Sequence, residues 1–204
     1  ELDQALEFQR RHGAVMIKAI AGGGGRGMRA VRSAEELQAA YPRCRSEAKS
    51  AFGNDEVYLE ALLPRARHVE VQIAGDGTGA VVHLWERECS VQRRNQKLVE
   101  IAPSPGLDKP LRQRLLEAAV RLGEAARFDN LGTIEFLVDL DARASEPGFA
   151  FIEANARLQV EHTVTEEVTD VDLVSTQLRV AAGATLPELG LTQDAIRLRG
   201  AALQ

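Results

Sequence analysis

From Glu153 to Glu161 every second residue is polar: Glu153, Asn155, Arg157, Gln159 and Glu161, with Ala154, Ala156, Leu158 and Val160 in the gaps. A period of two belongs to an extended chain, so FIEANARLQVEH, residues 151–162, predicts a strand with one polar face. Such alternation fits the wetted side of an antiparallel sheet as well as a side turned to a substrate. The same reading along the chain predicts two subdomains of an α+β protein. Residues 1–62 hold a short amphipathic helix, the apolar strand AVMIKAI, a glycine loop, a strand RAV and a helix that Pro42 is expected to interrupt. Ser33 with Glu36 three residues later is a capping box opening that helix. Residues 63–204 are sheet-based. HVEVQIAG and AVVHLWERE are joined by DGTG, a hairpin signal, and an irregular basic stretch, SVQRRNQKLVEIAPSPG, leads to a helix over 109–127. Strands GTIEFLVDL and FAFIEAN follow around the loop DARASEPG. A helix in DVDLVSTQLRVAAG has Asp170 as its expected cap and Gly183 as its stop, and AIRLRGAALQ reads as extended.

Composition narrows the function. The 204 residues are 45% apolar and 27% charged, enough for one large domain or for a small lid plus a larger body, with a real core. A net charge of −5 and an aromatic content of 4% leave neither the basic footprint nor the stacking platforms of a nucleic-acid binder. No run approaches the roughly 18 apolar residues of a membrane span, and ELDQALEFQRRHG lacks signal-peptide character, so a soluble protein is expected. Cys44 and Cys89 have no metal-ligand spacing, which points to reduced thiols and a cytoplasmic setting. The start at Glu1 without methionine and the extended finish at Gln204 are read as a segment of a longer polypeptide.

Three stretches can carry chemistry. If the hairpin of GTIEFLVDL and FAFIEAN turns near Ala144, Glu135 and Glu153 face each other. Like charges so opposed cost up to about 1 kcal/mol. A hard divalent cation such as Mg²⁺ would offset that, with Asn155 adding a neutral oxygen on the same face, whereas a register slip would leave two solvated acids. AGGGGRGMR, residues 21–29, lets phosphate oxygens approach backbone N–H groups, with Lys18, Arg26 and Arg29 for charge. Gly22, Gly24 and Gly27 match the dinucleotide pattern by redundancy only, because β-like MRAV follows where a helix is required. RRNQK, residues 93–97, is a basic loop or weak anion patch. An anion held by Arg157 would lie near Glu161, a carboxylate able to take a proton.

Together Lys18 with AGGGGRGMR, HVEVQ, ECSVQRRNQK, GTIEF and FIEANARLQVEHTVTE resemble biotin carboxylase, an ATP-grasp enzyme, over nearly the whole chain. The resemblance implies the ATP-grasp fold, with residues 1–62 as a glycine-loop lid and residues 63–204 as a mainly antiparallel body with helices. It implies a ligase that makes carboxyphosphate from ATP and bicarbonate and carboxylates biotin within an acyl-CoA or pyruvate carboxylase. By position, Lys18, Gly23, Gly24, Gly25, Gly27 and Met28 would clamp phosphates. Glu60 and Leu63 would line the adenine pocket, with His68, Gln92 and Asn95 near the nucleotide. Glu135, Glu153 and Asn155 would hold Mg²⁺ or Mn²⁺. Lys97, Arg157, Gln159, Val160 and Glu161 would form the bicarbonate and biotin site, Glu161 as base, and the strand is expected to bend after Arg157. Ala61 and Asn95 replace a lysine and a histidine common in the family, so altered nucleotide affinity is expected. The implied partners are a biotin carboxyl carrier region and a carboxyltransferase, with homo-oligomer formation left open. The family's amino-terminal domain and a later arginine lie outside these residues, so the 204 residues alone are expected to bind nucleotide weakly and not to carboxylate biotin. Another ATP-grasp ligase of carboxylate-amine or carbamoyl-phosphate type, or a non-catalytic ATP-binding segment, are the competing expectations.

Overall fold

The computed structural model describes residues 1–23, 26–142 and 148–204; Gly24, Gly25 and the expected turn centre at Ala144 lie outside them. The chain divides into two compact units, Glu1–Pro64 with Arg93–Gln96, and Arg65–Gln92 with Lys97–Gln204. No helix among the described residues is long and apolar enough to cross a membrane.

In the first unit, strands β1 (Val15–Ala19), β2 (Met28–Val31) and β3 (Val57–Ala61) form an antiparallel sheet in the order β2-β1-β3, accompanied by helices α1 (Leu2–His12) and α2 (Ala34–Phe52). Val15 and Ile17 alternate into a core with Val31, Leu37, Ala40 and Cys44. Lys18, on the other face, stands opposite Tyr58. Ser33 caps α2 as expected, its Oγ accepting from Glu36 N at 3.2 Å, while the Glu36 carboxylate accepts from Arg32 N at 2.8 Å. Pro42 does not interrupt the helix. Leu37, Ala40, Cys44 and Ala48 are buried along one face, and that tertiary burial carries the helix past the missing hydrogen bond. Strand β3, VYLEA shortly after the turn residues Gly53, Asn54 and Asp55, is a further element not anticipated above, paired along its length with β1.

The second unit is built on a six-stranded sheet, in the order β8-β7-β4-β5-β6-β9. Its strands are β4 (Ala66–Asp76), β5 (Val81–Arg93), β6 (Gln96–Ala102), β7 (Asp129–Asp139), β8 (Phe149–Asn155) and β9 (Ala202–Leu203), with helices α3 (Lys109–Ala125), α4 (His162–Thr169) and α5 (Leu173–Ala181). Val69, Val71 and Ile73 of β4 pack with Ile134, Phe136 and Val138 of β7 against Leu115, Leu116 and Ala119 of α3. A second cluster joins Ala74, Val82, Leu84 and Leu131 to Leu173, Leu186, Leu191 and Ile196.

Four expectations are corrected. The stretch 90–106 is largely a hairpin: β5 runs to Arg93 and turns through Arg94 (φ 53°) and Asn95 (φ 63°) into β6. Two successive positive φ angles suit the twist of a hairpin, and asparagine tolerates that region well, which gives Asn95 a local reason to be there. The strand read over 151–162 ends at Asn155, before the expected bend. Asp170 closes α4 in a left-handed conformation (φ 57°), and Asp172 caps α5 by accepting from Ser175 N at 2.7 Å. AIRLRGAALQ contributes only the two-residue β9.

Candidate active site

Two irregularities in the sheet decide which side chains meet. Between Ile73↔His83 and Val71↔Glu86, β5 carries one extra residue, and Trp85 takes φ 64° there. A one-residue shift exchanges the faces of a strand. It brings Arg87, rather than Glu86, opposite Glu70. A cation thus meets an anion where an unbulged ladder would oppose two glutamates. Likewise Glu135 pairs with Glu153 but Phe136 with Phe151, so Ile152 is the extra residue in β8. Without that bulge Glu135 would face Ile152. Glu70 is in turn directly across from Glu135 on β4 and β7.

The result is a buried polar network on one face of the sheet. Arg87, with no exposed surface, donates from Nε to Glu70 Oε1 at 2.6 Å and from Nη1 to Gln72 Oε1 and Thr165 Oγ1 at 2.9 Å each. Its Nη2 reaches Thr133 Oγ1 and Gln159 Oε1, both at 3.4 Å. Lys97 Nζ bonds Glu70, lies 2.6 Å from Glu161 Oε1 and 3.2 Å from Glu135 Oε1. Three carboxylates from β4, β7 and the residue before α4 therefore converge on one ammonium. His68 Nε2 is 2.5 Å from Glu135 Oε2, and its Nδ1 is 2.7 Å from Gln92 Nε2, a donor, so the ring accepts there and donates to the carboxylate. Asn155 Nδ2 donates to Glu135 Oε1 at 2.8 Å and to Glu153 Oε1 at 3.3 Å.

Electrostatics follow from this crowding. Burial opposes ionisation of Glu135, but the bond from His68, the charge of Lys97 and the bond from Gln159 outweigh it and hold the carboxyl down at about 2. Glu161 is shifted down in the same sense, burial being overcome by the bond and charge of Lys97. Burial alone would release the Lys97 proton, yet the charges of Glu70 and Glu135 raise it further above the ordinary lysine range. Glu135 and Glu161 are thus held as carboxylates and Lys97 as an ammonium at neutral pH, a charge arrangement suited to anions.

The structure gathers Lys97, Gln159, Glu161, Glu135, Glu153, Asn155, His68 and Gln92 in one unit. Arg157 is exposed at its edge, with Nη2 3.4 Å from Asn155 Oδ1, and Val160 is 79% exposed. Asn155 thus turns its amide nitrogen, not the expected oxygen, toward the two acids. In the first unit, Lys18 Nζ is paired with Glu60 Oε2 at 2.8 Å and lies 5.9 Å from the Tyr58 ring centroid. Gly23 is exposed, Gly27 has φ 75° with its carbonyl accepting from Ala19 N, and Met28 opens β2; Leu63 follows β3 and Asn95 lies in the β5–β6 turn. Sequence reasoning missed Glu70, Gln72, Arg87 and Thr165. Strict alternation of Glu70 and Gln72 with the valines of HVEVQ was the available signal.

With this geometry in view, comparison with known proteins is informative. The sequence model of the family described as "Carbamoyl-phosphate synthase L chain, ATP binding domain" matches residues 1–189. The chain belongs to that family. Among relatives of this ATP-binding domain, mitochondrial pyruvate carboxylase of Homo sapiens is 52% identical over 204 residues, all of this chain and 17% of the relative. Pyruvate carboxylase of Aspergillus niger is 55% identical over 190 residues, 93% of this chain and 16% of the relative. A Campylobacter jejuni biotin carboxylase in complex with β-γ-ATP superposes with a TM-score of 0.91 at 43% identity, covering 99% of this chain and 44% of that one. The biotin carboxylase domain of Hydrogenobacter thermophilus 2-oxoglutarate carboxylase, a dimer with MgADP, ADP and bicarbonate, gives 0.90 at 42% identity, over 100% of this chain and 43% of that one. The fold is the α+β ATP-grasp fold of these domains. The ATP-binding domain thus spans about a sixth of the curated relatives and under half of the solved chains.

Two carboxylates paired across adjacent strands, Glu135 and Glu153, are the hard oxygen donors a divalent cation takes, while the Asn155 amide turns its nitrogen to both; among the described residues His68, Glu70 and Glu135 also lie within one ion's reach of one another.

Proposed function

We propose that the protein performs ATP-dependent carboxylation of biotin with bicarbonate, as the biotin carboxylase part of a pyruvate-carboxylase-type enzyme. The observation that carries this reading is the convergence of Glu70, Glu135 and Glu161 on Lys97 beside a fully buried Arg87. Burying so many charged groups carries a desolvation cost, and groups perturbed in this way concentrate at functional sites. In this reading Lys18 leaves Glu60 for the nucleotide phosphates, and Gly23, Gly24, Gly25, Gly27 and Met28 cover them. Glu60, Leu63, His68, Gln92 and Asn95 line the nucleotide site. Glu135, Glu153 and Asn155 hold Mg²⁺ or Mn²⁺, which supplies charge neutralisation at the phosphates. Arg157, Gln159 and the backbone at Val160 hold bicarbonate, and Glu161 takes its proton. The freed oxygen attacks the γ-phosphorus, giving carboxyphosphate and ADP, and Lys97 keeps Glu161 ionised for that step. Carboxyphosphate then splits into CO₂ and phosphate, and N1′ of biotin on a carrier region bonds to the CO₂ carbon as the phosphate takes the N1′ proton, giving carboxybiotin for use by a carboxyltransferase. The lid and body assignments, residues 1–62 and 63–204, and a cytoplasmic setting with the two free thiols belong to the same proposal.

The family's name favours a second reading, a carbamoyl-phosphate-type ligase with a nitrogen nucleophile as acceptor. ADP release by the full-length protein separates them. Biotin should stimulate bicarbonate-dependent turnover, and Glu161→Gln and Lys97→Gln should each abolish the stimulation. Stimulation by ammonium with none by biotin would overturn the carboxylase reading.

A further inference from the structure

Gln159 and Glu161 enter the network from a stretch that is neither strand nor helix, and Val160 between them is 79% exposed. Such a turn needs anchoring if two side chains are to be held in place. The anchor is adjacent. The Gln159 carbonyl receives two contacts from one residue, His162 N at 3.3 Å and His162 Nδ1 at 2.9 Å. A carbonyl only accepts, so Nδ1 carries the hydrogen. The other ring nitrogen, Nε2, lies 3.7 Å from Glu166 Oε2, one turn along α4, and Glu166 Oε1 accepts from Leu173 N, the first residue of α5, at 2.7 Å. Both ring nitrogens are thus turned to protein groups. On the far side of the turn, Gln159 Nε2 donates to Glu135 Oε1 at 3.0 Å, and Glu161 accepts from Lys97.

We infer that His162 is a positioning residue, whose Nδ1–H···O=C bond to Gln159 fixes the turn that presents Gln159 and Glu161 to Glu135 and Lys97. The imidazole touches none of the reacting groups. It acts through the turn, with Glu166 and the start of α5 lying beyond its other edge. The inference rests on the proposed carboxylase reading for its activity readout, but its geometry can be tested apart from it.

Asparagine and glutamine at this position distinguish a positioning role from general packing. The Asn amide nitrogen sits where Nδ1 is, one bond beyond Cγ, while the Gln amide reaches toward the Nε2 position and misses the carbonyl. In the full-length protein, His162→Ala and His162→Gln should lower kcat for bicarbonate-dependent ATP cleavage about ten- to a hundredfold, the usual result of a misplaced group, with KM for ATP unchanged. His162→Asn should recover most of the rate. Equal rates for the Asn and Gln variants, or a wild-type rate in His162→Ala, would overturn the inference. If His162→Ala fails to fold, the Asn and Gln pair decides alone. If the wild type shows no bicarbonate-dependent turnover, the functional reading falls, and hydrogen exchange at residues 160–162 decides the inference. Exchange faster in Gln than in Asn and wild type upholds it, and equal exchange sinks it.

Discussion

Val69, Val71 and Ile73 lie on one face of β4, Glu70 and Gln72 on the other, and all five are 0% exposed, yet the two faces are held differently. The apolar face packs on α3, and each buried side chain there contributes about 1.5–3 kcal/mol with little regard to its exact partner. The polar face has Glu70 and Arg87 out of water, at a desolvation cost of several kcal/mol per ion that hydrogen bonds offset only when all are made. The first face makes the fold. The second adds little net stability and tolerates no missing member, which is how a site retained for chemistry differs from a core.

The largest effect should come from breaking the polar face. Arg87→Leu removes one donor each from Glu70, Gln72 and Thr165, and urea unfolding should register a loss of about 3–5 kcal/mol. Ile73→Val, a trimmed methylene on the apolar face, should cost about 0.5–1.5 kcal/mol. Equal losses would erase the distinction between the faces.

Acid sharpens the contrast with a somewhat smaller effect. His83, opposite Ile73, is pushed down to about 4 by burial. Its neutral form is the folded form, so stability is complete above about pH 6.5, where the unfolded imidazole is also neutral, and falls by about 3 kcal/mol as pH drops to about 4. Glu135 behaves oppositely in position, not in sign. Its folded value of about 2 keeps its contribution intact above pH 4.5 and loses it only between there and about 2. Denaturation midpoints of the wild type and His83→Gln across this range should differ in the upper window and converge in slope in the lower. A wild-type curve flat from pH 7 to 4.5 would contradict the assignment.

Much of this was legible in residues alone. The alternation in GTIEFLVDL and FAFIEAN placed two strands, and nine-residue symmetry about Ala144 placed Glu135 opposite Glu153, although the pair meets through a bulge that symmetry does not contain. Glu70 and Arg87 were not legible as site residues, because a buried charge and a wetted one look alike until the neighbouring strands are known. The Trp85 bulge that brings them together has no glycine to announce it, and Trp85 itself packs against both core clusters of the unit. RRNQK read as irregular because charged residues hide a hairpin whose turn needs two positive φ angles. The alternation beyond Asn155 was real as a pattern but not as a strand. Gln159 and Glu161 share a destination through a turn and α4, and no period of two records that.

The central claim is that paired acids on β7 and β8 bind nucleotide through a divalent cation. Calorimetric titration of ATP into the full-length protein, with Mg²⁺ and with the metal chelated, and the same pair of titrations on Glu153→Ala, tests it most directly. The account predicts binding that depends on Mg²⁺ in the wild type and loses that dependence, along with affinity, in the variant. Equal affinity in all four titrations would contradict it.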